Sequence, residues 1–241
     1  MTQLLNRTIL LNQTSTEALR DQIRAYFHQT ADLYESLFKL LSCDEAYFVK
    51  PIALRHPLIF YYGHTNTFFV NKLILAGLMT ERVNPEMESM FAVGVDEMGW
   101  DDVNEQNYDW PSVDAVKAYR QQVRAEVDRV IDTLPINEVI DWESPWWVIL
   151  MGIEHERIHL ETSSVLIRQH DLKYVKPSSD WPVCSDQQSA PANNSFVDIP
   201  ARQVTLGKQD AAYGWDNEYG SLIKTVRLLE RPSIYVVMRS F

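Results

Sequence analysis

His155 and His159 stand four residues apart in "GIEHERIHLETS", residues 152–163, with Glu161 just beyond. An i,i+4 pair lies on one face of a helix with its Cβ atoms about 5–6 Å apart. That is how a helix offers two imidazoles to one metal ion. The same spacing also suits two polar residues on a wet face, beside Glu154 and Glu156. A third candidate is His64 in "FYYGHTNTFF", an imidazole among aromatics in the least charged helical stretch of the chain. Burying it there requires a hydrogen-bond partner or a metal. A core histidine satisfied by one hydrogen bond is its plainer reading. Because facing helices of a bundle build metal sites, the three together point to a metal centre of His64, His155 and His159. His56, beside Pro57, reads as structural or exposed, and His28 and His170 show no ligand-like partner in the sequence.

"HERIH" also matches HExxH literally. In a zinc protease Glu156 would be the general base beside a metal-bound water, with a third ligand downstream. The downstream options are His170 and Glu161, neither at a familiar spacing. The surrounding pattern is also that of a helical bundle and lacks a strand-rich half.

Four helical stretches must position these residues. From Thr16 to Leu41 the residues Leu19, Ile23, Tyr26, Phe27, Tyr34, Leu37, Phe38 and Leu41 recur at helical spacing, with Thr14 and Glu17 spaced as a capping box. Pro57 opens "PLIFYYGHTNTFFVNKLILAGLMTE", whose only charges are Lys72 and Glu81, so it belongs deep in a bundle. Val113 to Leu134 carries Val116, Tyr119, Val123, Val127, Val130 and Leu134 on one stripe. Ser144 and Pro145 give N-cap and N1 signals for a helix to about Arg168, with Ile149, Ile158, Val165 and Leu166 expected inward and the two histidines bordering them. The expectation is an all-α fold, an up-down four-helix bundle over residues 15–170.

The connection from Asn84 to Trp110 is long for a loop without a role. Glu81 to Asp109 holds nine acidic residues against one arginine, which suits a solvated crossover. Met90, Phe91, Val93, Met98 and Trp100 would be costly to leave wet, which argues that part of it packs.

Composition narrows the classes of partner. A formal net charge of -11 disfavours a non-specific grip on nucleic acid or anionic lipid. Two cysteines, Cys43 and Cys184, make no disulfide framework and fit a reducing cytoplasm. The N-terminus lacks the apolar run of a signal peptide. No apolar run reaches the roughly 18–20 residues of a membrane-spanning helix. Residues 1–180 therefore read as one helical metal-binding domain and 181–195, rich in Pro, Ser, Gln and Asn, as a linker. Residues 196–241 read as a short strand-containing tail. There "SFVDIPARQVTLG" alternates like strands around a turn at Ile199 to Arg202. The tail is too short to bury much of its own surface, and its strands are expected to lack partners.

"HPLIFYYGHTNTFFVNKL", "FAVGVDEMGWDD", "YDWPSV" and "HERIHLETSS" together resemble the N-terminal domain of the ovothiol-pathway 5-histidylcysteine sulfoxide synthases. Wider relatives are the ergothioneine-pathway synthases and the DinB-like metal-binding four-helix bundles. The resemblance covers residues 1 to about 180. "VDIPARQVTLG" and "YGWDNEYG" resemble the opening of the formylglycine-generating-enzyme-like (sulfatase-modifying factor) domain that follows in such synthases, here cut off after Gly220. It implies iron(II), Fe(2+), on His64, His155 and His159, with zinc or nickel as substitutes, and for Glu161 a role behind the ligands or between helices rather than on the metal. It implies L-cysteine, L-histidine and O2 as substrates, joined by a C–S bond with oxidation to the sulfoxide. The family's catalytic tyrosine lies in the second domain. Neither Tyr213 nor Tyr219 can be assigned that role, so the catalytic residues stay unknown, and a separate domain or an oligomer partner would have to complete the pocket.

Overall fold

The computed structural model describes residues 8–12, 15–92, 108–136, 140–182, 196–227 and 229–232. The chain divides into two compact units, Met1–Pro182 and Val183–Phe241.

In the first unit four long helices form the bundle: α1 (Thr16–Phe38), α3 (Leu58–Leu75), α5 (Val113–Thr133) and α6 (Pro145–Arg168). Two short helices, α2 (Glu45–Phe48) and α4 (Pro85–Phe91), lie in the connections. α1 stops three residues before Leu41, which is buried and pairs instead with Val175 in an isolated β-bridge. Its N-cap is Ser15, without a side-chain cap bond, and Thr14 lies outside the described residues. α3 ends at Leu75 because Gly77 follows with φ +70°, and the amides of Leu78 and Met79 turn back to the Leu73 carbonyl. This is a glycine-dependent helix stop. Ser112 caps α5 by accepting from the Ala115 amide.

The α1 stripe and the α5 stripe up to Val130 face inward as their spacing predicts, and nearly charge-free α3 is buried almost all round from Leu58 to Val70. The stripe of α6 needs correction: Ile149 and Leu166 are buried, but Ile158 and Val165 are 46% and 44% exposed. The buried positions of this helix include His155, Glu156 and Ser163. Polar residues with specific partners occupy the inner face, and that turns two aliphatic residues toward water.

The up-down order also needs correction. Tyr34 and Phe38 near the end of α1, Leu58 and Ile59 at the start of α3, Val113 and Val116 at the start of α5, and Leu166 and Ile167 at the end of α6 share one core cluster. So α1 and α6 run toward this end, while α3 and α5 run away from it. Contacts along the seams agree. Tyr26 meets Glu154 and Tyr34 meets Ser163, a parallel pairing. His28 meets Asp128 and Asp32 meets Arg124, an antiparallel one. Short loops force antiparallel neighbours. The connection from Ala76 to Ser112 is long enough to return along a helix of roughly 27 Å, at 1.5 Å per residue, and so leaves α3 and α5 parallel.

Close approach of α3 and α6 depends on Gly152. A Cβ there would lie 2.1 Å from the Phe69 ring. No helix of the described residues is long and apolar enough to cross a membrane.

The second unit holds β1 (Phe196–Ile199), β2 (Arg202–Leu206), β3 (Leu222–Val226) and β4 (Leu229–Pro232). The strands do not lack partners. β1 pairs antiparallel with β4 and β2 with β3, so β1 and β2 flank the turn at 200–201 without pairing to each other. Leu206, Leu222 and Ile223 remain more than half exposed.

Gly152→Ala should overpack the α3–α6 contact and cost about 1–3 kcal/mol. The urea midpoint should fall with an unchanged slope, and Phe69→Leu in the same chain should recover part of the loss. An unchanged midpoint would mean that Gly152 does not set the helix spacing.

Candidate metal centre

α3 brings His64, and α6 brings His155 and His159, to one point. One nitrogen from each imidazole lies within 4.8 Å of the other two. Ring centroids are 5.1 Å apart for His64 and His155, 4.8 Å for His64 and His159, and 4.5 Å for His155 and His159. His64 and His155 are buried, and His159 is half-buried. Aromatic rings hold them in place. Phe68 stacks on His155 at 3.7 Å, Phe60 stacks on His64 at 5.1 Å, and Tyr61 lies 6.0 Å from His159.

The nitrogens are in the state a metal needs. His64 Nδ1 stands 2.7 Å from the Phe91 carbonyl oxygen. A carbonyl only accepts, so Nδ1 carries the proton and Nε2 keeps the lone pair. Burial pushes the His155 pKa far down, helped by His159, His64 and Lys72. Burial, then His64, lowers His159 to about 3. Both imidazoles are neutral at pH 7. Their Nδ1 atoms are buried without a hydrogen-bond partner among the described residues, a costly arrangement in a folded core. Three nitrogens bound to one ion at about 2.0–2.1 Å stand about 3.0–3.5 Å apart. The candidate nitrogens, within 4.8 Å of one another, are spread wider than that by about 1–2 Å at most. The donor set fits a divalent metal ion.

Beside the histidines lies a buried clamp. Arg120 of α5 and Glu156 of α6 are both 2% exposed and pair at 3.0 Å. Arg120 Nη1 also donates to the Tyr62 carbonyl at 2.8 Å and to Thr65 Oγ1 at 3.0 Å. Thr65 in turn donates to Glu156 Oε1 at 3.1 Å. The guanidinium lies 5.2 Å from the Tyr34 ring and 4.8 Å from the Tyr62 ring. Burial opposes its charge, but Glu156 chiefly outweighs burial, so the Arg120 pKa stands above its ordinary value. Thr65 follows His64 and Glu156 follows His155. The clamp therefore fixes the two helices that carry the candidate ligands, one residue from His64 and one from His155. It also answers the HExxH reading: Glu156 is committed to Arg120 and Thr65 and does not act as a protease base.

Among the described residues Glu161 makes no contact with another helix. It is exposed, and its backbone carbonyl accepts from Ser164. His56 is buried and packs on Phe60, Tyr108 and Trp110. His28 bonds Asp128 and Arg124, while His170 Nε2 meets the Ala46 carbonyl. Tyr213 is buried within the second unit, edge-on to Trp215. In the crossover Phe91 is fully buried, whereas Val93, Met98 and Trp100 lie outside the described residues. Sequence reasoning missed the clamp, although Arg120 was visible as a charge inside the apolar stripe between Val116 and Val123. The Phe91 carbonyl left no signal, because backbone groups are the same in every residue.

Comparison with known proteins agrees with this geometry. The pattern of the DinB superfamily matches residues 26–163. Ergothioneine biosynthesis protein 1 of Neurospora crassa is 27% identical over 190 residues, which cover 70% of this chain and 21% of that protein. The chain thus spans about a fifth of the length of this relative.

Arg120→Met should leave a buried carboxylate without its cation and cost about 3–5 kcal/mol. Glu156→Gln in the same chain should recover part of this, because a neutral amide is cheaper to bury. Equilibrium denaturation of the three variants provides the check. A cost below about 1 kcal/mol for Arg120→Met would show that the carboxylate finds water.

Proposed function

The chain belongs to the DinB superfamily, and we propose that its three-histidine centre holds iron(II) for an oxygen-dependent C–S bond formation between cysteine and histidine. The observation that carries this reading is the convergence of three imidazoles from facing helices among buried aromatic rings. Such a donor set alone suits iron, zinc and nickel. Similarity to an ergothioneine biosynthesis protein, and the likeness of its motifs to sulfoxide synthases, favour iron and sulfur chemistry.

On this reading L-cysteine, L-histidine and O2 give 5-histidylcysteine sulfoxide and water. One imidazole C–H bond and one S–H bond are lost and a C–S bond forms. One oxygen atom ends on sulfur and the other in water, so four electrons from the substrates reduce O2. When bound, iron(II) supplies open positions for a thiolate and dioxygen, and the electrons that activate oxygen. The chain's own residues hold and orient. His64, His155 and His159 present lone pairs, Phe60 and Phe68 fix two of the rings, and the apolar walls exclude water. Residues 196–241 belong, on the same reading, to a formylglycine-generating-enzyme-like domain joined through 181–195.

Anaerobic loading should give about one iron(II) per chain, and the electronic spectrum should change when cysteine is added. His64→Ala, His155→Ala and His159→Ala should each lower metal uptake at least tenfold in affinity. Unchanged uptake in His64→Ala would refute the three-ligand site. Tight zinc binding with metal-dependent hydrolysis or thiol transfer, and no response of the iron form to cysteine, would instead favour a DinB-like hydrolase or transferase.

A further inference from the structure

Phe91 ties the end of α4 to His64, while Glu88 ties the start of the helix to the segment that precedes it. Glu88 is 1% exposed. Its Oε1 accepts from the amides of Val83 and Asn84, each at 2.9 Å, and its Oε2 pairs with Arg82 at 2.9 Å. Asn84 Oδ1 caps the helix by accepting from the Met87 amide at 3.1 Å. At the other end the Phe91 ring seats over Gly63, where a Cβ would lie 2.4 Å from a ring carbon. The Phe91 carbonyl accepts the His64 Nδ1 proton at 2.7 Å. The residue that reads the absence of a side chain at Gly63 is therefore the residue that orients the neighbouring His64.

We propose that α4 is a positioning element for the metal site: docking of Phe91 on Gly63 holds His64 in the tautomer that presents Nε2, so α4 docking and metal binding are energetically coupled. The inference rests on the three-histidine reading of the centre but on no particular metal or reaction. With α4 undocked, His64 loses the acceptor that selects its tautomer, and the imidazole is free to turn from its ligand orientation. Loss of such a partner to a ligating histidine commonly lowers metal affinity about 10–100-fold. Coupling is reciprocal, so metal must stabilise the docked helix by the same factor. α4 is a suitable reporter, since Glu88 anchors its start and Phe91 its end.

The test uses the full chain with zinc(II) or cobalt(II) as the probe. Affinity is measured for the wild type, for Gly63→Ala, which displaces the Phe91 ring, and for Glu88→Gln, which loosens the far end of α4 without touching His64. Hydrogen exchange of the amides at 83–91 is followed with and without metal. Both variants should bind metal about tenfold or more weakly while keeping the bundle's helical signal. In the wild type, metal should slow exchange at 83–91 by a matching factor. Should Gly63→Ala fail to fold, Glu88→Gln and the exchange data decide by themselves. Wild-type affinity in Glu88→Gln together with metal-insensitive exchange at 83–91 would overturn the coupling while leaving the three-histidine site intact. No metal uptake by the wild type would overturn the site itself and the coupling with it.

Discussion

Three imidazoles desolvated against one another make the constraint on which the rest of the bundle depends. His155 and His159 are neutral because burial and the neighbouring imidazoles oppose a proton, and a ring nitrogen shut away from bulk water needs a partner. Helices α3 and α6 must therefore run close and in fixed register. Gly152 permits the approach by giving its space to Phe69. The register is held by Arg120, which binds the Tyr62 carbonyl, Thr65 and Glu156 together. A buried ion pair is weak evidence of stability in itself. Here its position one residue from His64 and one from His155 gives it a geometric role.

The neighbouring charges of α6 are sorted by the same geometry. Glu154, Glu156 and Arg157 lie within four residues, yet each faces a different partner. Glu154 accepts from Tyr26 at 2.6 Å and from Thr8 at 3.1 Å. Glu156 goes to the clamp, and Arg157 reaches Thr30 and lies over the Tyr26 ring. Turning these groups inward leaves Ile158 and Val165 on the outside. A motif that reads as a protease signature is, in this fold, two candidate ligands with a structural carboxylate between them.

The crossover is the second consequence. Returning the chain to the end where α3 begins makes α3 and α5 parallel, and α4 in the returning segment packs against α3, which carries His64. Phe91 and Glu88 lie buried in that segment. Burial of these two residues gives α4 a packing role that an acidic, solvated loop does not supply.

Much of this was legible in the sequence. Helical periodicity located the four long helices, and an i,i+4 pair plus one histidine in a nearly uncharged helix named the three residues that converge. Both signals are local, set by 3.6-residue spacing and by the cost of burying an imidazole. Helix stops at Phe38 and Leu75 were less legible, since a positive φ at Gly77 and a β-bridge at Leu41 decide them. What the tertiary structure alone decided was non-local: the direction of α5, the partner of Glu156, the exposure of Ile158 and Val165, and the pairing of β1 with β4. Each depends on which distant group fills the space opposite, and a backbone carbonyl such as that of Phe91 carries no identity for a sequence to display.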